Sequence, residues 1–280
     1  MIYLSTLSFL NAPSDYFHEF RNSDYGIEFS SGGLGHNYNN YKKFEEFNGK
    51  KILHNYFPGY KTAPFVLNLS SLDYEIKKRS LKHCFRNIDK TSRFSSDKFF
   101  AVHAGFILDL KVSDLGKPVK DMVVGNVDEY KKSFYDSLDQ LINYGKKKNV
   151  TILIENNVLI KENYDGLNLP FFAVESGNIS NILEDFSSYQ NFGLLLDTAH
   201  LKVSCTTLGL NLREEYNKIK KYIKAIHHSD NDGNYDTNSK LDKDYWFLDF
   251  LPEFKNIPNV LEVKNLSIKE LYSQLKILNQ

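Results

Sequence analysis

The chain has 280 residues, 41% hydrophobic and 25% charged, with 35 basic side chains balancing 35 acidic ones. The zero formal charge gives no sign of the basic stripe that drives duplex binding, although a local patch fits within a balanced total, and no apolar run approaches the ~18 residues of a membrane span. A chain of this length buries about three-quarters of its unfolded surface, so it needs no disulfide or structural metal to fold. The opening MIYLSTLSFLNAP lacks a basic n-region and a long apolar core, and Cys84 and Cys205 have no framework spacing. A cytoplasmic protein with reduced thiols is therefore expected.

Residues 1–6, 26–30 and 51–57 are the first three candidate strands, joined by the polar, weakly patterned stretches 11–23 and 38–47. A helix follows over 72–88, with Ser70 or Ser71 as its N-cap. The strand at 99–105 (FFAVHAG) leads into 109–126, where Gly116, Pro118 and Gly125 mark a long loop. The next helix, 128–147, repeats Tyr130, Phe134, Leu138, Leu141 and Ile142 in an i, i+4 stripe. Strands at 150–156 and 193–198 flank a helix at 179–186. They read as nearly continuous apolar runs, as strands covered on both faces should. A helix at 212–222, a strand at 223–229, a loop at 231–242, a helix at 245–254 and a strand at 260–264 follow. Ser267 and Glu270 then make a capping-box pattern ahead of a terminal helix. Alternating strands and helices imply a parallel sheet, and eight repeats favour a closed (β/α)8 barrel, one domain over 1–280, rather than a doubly wound sheet. SGGLG at 31–35 has neither the spacing of a dinucleotide fingerprint nor the lysine of a phosphate loop.

Polar residues collect where these strands end. Glu155, Asp197 and Glu262 each close an aliphatic run (TILI, GLLL and NVL), and His54, His103, His200, His227 and His228 stand at or just beyond strand ends. A lone ionisable group beside a buried strand costs several kcal/mol unless paired or ligated. Glu262 alone can pair with Lys264, and Asp197 alone can cap a turn. Three carboxylates at corresponding ends of three strands, with histidines beside them, instead call for a shared partner. In a barrel those ends meet at one mouth, where a divalent cation satisfies oxygen and imidazole ligands together.

VTILIENN, FGLLLDTAH, IKAIHHSDNDG and VLEVKN, in that order, resemble the xylose-isomerase-like barrels, the superfamily of sugar phosphate isomerases and epimerases and of endonuclease IV. The resemblance runs from about Tyr25 to the C-terminus and is strongest from Val150 onward. It implies a TIM barrel holding one divalent ion (Mn, Mg, Co or Zn) through Glu155, Asp197, His227 and Glu262, with His228 pointing away. It also implies that Glu155 and Glu262 flank a sugar or sugar phosphate and move protons through an enediolate, with His54, His103, His200 and Lys264 facing the substrate. The rival in the superfamily is a phosphodiesterase of the endonuclease IV type. That enzyme needs a further D-x-H pair, whereas this chain has Asp236-Thr237-Asn238, and Asn is a poor substitute for imidazole on zinc. Lys161 and Gly233–Asn234 stand where some ketose epimerases carry Glu and Arg, which argues against a free-ketose 3-epimerase. A barrel that binds sugar without catalysis is a further alternative. A homo-oligomer is compatible with the fold, although no patch in the sequence marks an interface.

Overall fold

All eight expected strands form, and every pairing between them is parallel. The structure, a computed structural model, describes residues 1–10, 13–30, 40–58, 65–114, 117–119 and 125–280. The strands are β1 (Ile2–Ser5), β2 (Gly26–Phe29), β3 (Lys51–Leu53), β4 (Phe99–His103), β5 (Thr151–Glu155), β6 (Phe192–Asp197), β7 (Ile223–His228) and β8 (Asn259–Leu261). Their order is β3-β2-β1-β8-β7-β6-β5-β4, so the first and last strands pair and the sheet curls into a nearly closed barrel. At the remaining seam, Ser96 donates its N–H to the Lys51 carbonyl at 2.7 Å, and its Oγ accepts from the Lys51 N–H at 3.0 Å.

Period-2 alternation sorts the side chains into two sets. Tyr3, Ile52, Phe99, Ala101, Leu153, Leu195, Ala225 and Val260 face inward and form a buried cluster of their own. Their neighbours, such as Ile152, Ile154, Leu194 and Leu196, face outward into the main core under the helices. Gly26 is required at its place because a Cβ there would lie 2.3 Å from the Tyr3 ring that fills the lumen. The same parity carries one step further: His103, Glu155, Asp197, His227 and Glu262 each follow an inward residue by two positions.

The helices agree with expectation in most slots. Tyr74–Phe94 is capped by Asp73, not by Ser70 or Ser71, since its carboxylate accepts from the Glu75 and Ile76 N–H groups. Val127–Lys148 starts at Asn126 and ends on Asn149 in the left-handed conformation. The weakly patterned early connections contain helices at Pro13–Phe20 and Asn40–Glu46. Residues 245–254 form a 3-10 turn over Leu248–Phe254 in place of the expected helix, because Pro252 cannot donate an α-helical hydrogen bond. The helix Thr198–Leu208 was not expected: it is buried on nearly every side, so it shows no amphipathic stripe. The terminal helix Ile268–Leu278 carries the complete capping box of Ser267 and Glu270. Ser267→Ala is expected to cost about 1 kcal/mol in chemical denaturation; an unchanged midpoint would show the cap to be redundant. No helix among the described residues is long and apolar enough to cross a membrane.

Two loops on the C-terminal side of the barrel pack on each other. Those after β4 and β5 meet through the Phe106–Phe171 bridge, and Ile107 N–H donates to the Pro170 carbonyl at 2.8 Å. Val66, Phe106, Leu108, Leu159, Phe171 and Val174 form a small apolar cluster there, separate from the main core.

Candidate metal centre at the barrel mouth

Parallel strands put all eight C-terminal ends at one mouth, and parity aims the carboxylates of β5 and β6 and of the residue just past β8 at its centre. His227 Nδ1 lies 2.9 Å from Glu262 Oε2, 3.4 Å from Glu155 Oε1 and 4.0 Å from Asp197 Oδ2. One potential ligand atom from each of these four residues lies within 4.8 Å of every other, and all four side chains are buried. Asp197 divides its carboxylate between two tasks. Oδ1 accepts from the Ala199 and His200 N–H groups at 2.9 and 2.8 Å, capping the helix Thr198–Leu208, which leaves Oδ2 for the cluster.

The electrostatics show an incomplete balance. Burial pushes Asp197 up to about 7, and the nearby acids Asp236, Glu155 and Glu262 add to that shift against the pull of His200. Burial favours neutral His227, yet Glu262 and Glu28 hold its pKa well above the usual imidazole range. Burial also opposes ionised Glu155 and Glu262, but His103 and His227 around the first, and His227 and His54 around the second, hold both below the usual carboxylate range. Glu155 Oε2 and Asp197 Oδ2 remain buried without a hydrogen bond, and His227 Nδ1 approaches three carboxylates without aligning to donate to any. Acceptors that crowd together without donors fit a cation, so the cluster can hold a metal ion of the oxygen- and imidazole-binding kind.

Each of the other expected residues has a definite place. His228 faces away from the centre, with ring nitrogens 2.9 Å from Tyr245 Oη and 2.8 Å from Asn259 Oδ1. His54 stacks at 5.8 Å on the His227 ring and, with His227 and Glu262, makes a second group with metal-ligand spacing. His103 Nδ1 is 3.6 Å from Glu155 Oε2, and burial lowers its pKa to about 4. His200 donates from Nδ1 to the Asn156 carbonyl at 2.9 Å and sets Nε2 3.4 Å from Asp236 Oδ2. Lys264 is exposed at the rim of a cavity of about 350 Å³, together with His103, His200 and Asp236. It makes no ion pair with Glu262 among the described residues. The walls of that cavity on the β4 and β5 side include Phe106, Ile160 and Phe171.

Glu28 escaped the sequence reading, and Asp236 entered it only as part of the incomplete D-x-H pair, not as a partner of His200. Asp236 lies in the expected loop, but its approach to His200 depends on the path of that loop. Glu28 sits in the short strand GIEF, where parity points it inward. A carboxylate between Ile27 and Phe29 was the available signal.

Among solved structures, a D-tagatose 3-epimerase-like protein is 18% identical and superposes with a TM-score of 0.68, covering 99% of this chain and 98% of that one. The E. coli 3-keto-D-glucoside 4-epimerase is 13% identical, with a TM-score of 0.68 and coverage of 99% and 98%. A Thermus thermophilus protein from a crystal soaked with ZnCl2 is 16% identical, with a TM-score of 0.64 and coverage of 99% and 97%. At these identities the likeness is one of fold. No curated protein matches the sequence. The family model for xylose isomerase-like TIM barrels, however, matches residues 36–257, well over half of the chain. This protein therefore belongs to the xylose isomerase-like TIM barrel family.

Proposed function

We propose that the protein is a metal-dependent isomerase or epimerase of sugars or sugar phosphates. The observation that carries this reading is the meeting of Glu155 and Glu262, one ending β5 and one just past β8, at His227 Nδ1. The epimerases among the structures of like fold support it. Glu155, Asp197, His227 and Glu262 would hold one divalent ion, which when bound stabilises negative charge on the substrate's oxygens. One glutamate takes the proton from the carbon beside the carbonyl. The C–H electron pair becomes the C=C bond while the carbonyl π pair moves to oxygen. In an epimerase the facing glutamate returns a proton to the opposite face of the same carbon as the carbonyl re-forms. In an isomerase the glutamate protonates the former carbonyl carbon, while the proton of the adjacent hydroxyl passes to the enolate oxygen and that neighbour becomes the carbonyl. His103, His200 and Lys264 line the cavity and His54 stacks on the His227 ring; all four would face the substrate, with Lys264 adding a cation near the developing charge.

The test is proton exchange. The purified protein, loaded with Mn2+, is incubated in D2O with a panel of ketoses, sugar phosphates and glycosides carrying a keto group. Deuterium is expected at the carbon beside the carbonyl of at least one sugar. Metal-loaded protein that exchanges no proton of any of them overturns the proposal.

A second reading, a metal-dependent phosphodiesterase of the endonuclease IV type, is favoured by one observation. His103, His200 and Asp236 extend the cluster beyond four residues. Against it stands Asn238, which turns in the left-handed conformation (φ 48°) and offers its carbonyl to the Lys264 N–H. Cleavage of abasic duplex DNA by the metal-loaded protein would select this second reading.

A further inference from the structure

We infer that Glu28 is a positioning residue that fixes His227 in the tautomer whose Nδ1 lone pair faces the metal site; the inference rests on the metal-dependent reading above. Glu28 reaches the site from β2, separated from β7 by β1 and β8 in the barrel order. Its register partners are Ser5 on β1 and Ile52 on β3, and it follows the inward Gly26 by two residues, so its side chain enters the lumen. There Glu28 Oε1 lies 3.2 Å from His227 Nε2, and both side chains are buried.

A neutral imidazole has one N–H and one lone pair, on different nitrogens. Among the described residues, Nδ1 of His227 faces the carboxylates of Glu262, Glu155 and Asp197, whereas Nε2 faces that of Glu28. Carboxylates face both nitrogens, but a cation held by Glu262, Glu155 and Asp197 takes the lone pair of Nδ1, so the ring's one hydrogen sits on Nε2, where Glu28 accepts it. Glu28 has no basic partner other than this ring among the described residues, and its Oε2 is buried without a hydrogen bond. An apolar residue would fill that lumen position without leaving a buried acceptor unpaired. The carboxylate is thus explained by what it does to the ring. Partners of this kind orient a ligating histidine and raise its basicity, and losing one typically weakens metal binding roughly 10–100-fold.

The experiment titrates Mn2+ calorimetrically into the full chain and into Glu28→Leu and Glu28→Gln, with circular dichroism and thermal melting to establish folding. Glu28→Leu is expected to bind Mn2+ roughly 10–100-fold more weakly. Glu28→Gln, whose amide oxygen still accepts from Nε2–H, should recover most of that loss. In parallel, the imidazole 15N spectrum of the Zn2+-loaded wild type should show His227 protonated at Nε2 and metal-shifted at Nδ1. A folded Glu28→Leu that binds Mn2+ like the wild type overturns the inference and leaves the metal site standing. If Glu28→Leu does not fold, the wild-type ring spectrum decides: a His227 protonated at Nδ1 overturns the inference. A wild type that binds no divalent metal overturns both the inference and the reading on which it rests.

Discussion

Replacing either Glu155 or Glu262 by glutamine is expected to remove the bound metal or weaken it strongly, and to lower turnover by roughly 10²–10⁴-fold. Glutamine keeps the shape of glutamate, so neither change opens a cavity in the lumen. What disappears is a charge and a proton acceptor, at a point where His227 Nδ1 lies 3.4 Å from one carboxylate and 2.9 Å from the other. Elemental analysis of the purified variants reads metal content, and deuterium exchange into the sugar reads proton transfer. The two readouts separate two roles. A variant that keeps its metal but exchanges no proton marks a base; one that loses the metal marks a ligand. If both substitutions leave metal and turnover unchanged, the centre of the proposal fails.

Asp197 offers a sharper contrast, because its two oxygens serve different ends. Asp197→Asn should abolish tight metal binding yet preserve the helix cap, since asparagine and aspartate cap about equally well. Asp197→Ala loses both and should be less stable than the asparagine variant by about 1 kcal/mol. The metal-free wild type adds a pH signature. With its pKa raised from 3.8 to about 7 in the fold, Asp197 binds more protons folded than unfolded between those values. Stability attributable to it therefore falls as pH rises through that window. Metal-free Asp197→Asn is expected to be more stable than the metal-free parent at about pH 8 and to lose that advantage towards about pH 4. Added metal reverses the order, because an ion at about 100 times its Kd stabilises the parent by about 2.7 kcal/mol. Thermal melts at these two pH values, with and without Mn2+, measure all of these. A metal-free parent that outlasts the asparagine variant at the higher pH would contradict the buried-charge account.

Much of this site is legible in the order of residues alone. The runs TILI, GLLL and NVL end in carboxylates because a buried strand reaches the barrel mouth just where apolar packing stops, and that transition is visible in one dimension. Convergence is not. Glu155 and Glu262 meet because β1 pairs with β8, a contact with no local signal in the sequence. The adjacent histidines illustrate the same limit: strand parity sends His227 inward and His228 outward to Tyr245 and Asn259, and parity can be counted only once the register is known. Glu28 was missed because its strand is four residues long and resembles any short β segment. The helix Thr198–Leu208 was missed for the opposite reason, since burial on nearly all sides erased its period.

The loops after β4 and β5 have a consequence for how this barrel could change. Their shared apolar cluster is separate from the main core, and their backbones are tied to each other at Phe106 and Phe171. They should therefore open together in amide exchange, ahead of the strands beneath them. They should also diverge together. An insertion in one loop must be answered in the other, whereas the carboxylates on the strands need no answering change. Exchanging both loops as a pair with those of a relative would re-shape the cavity wall and leave the charge cluster in place, so the same carboxylate- and histidine-lined mouth could be inherited by barrels with different ligands.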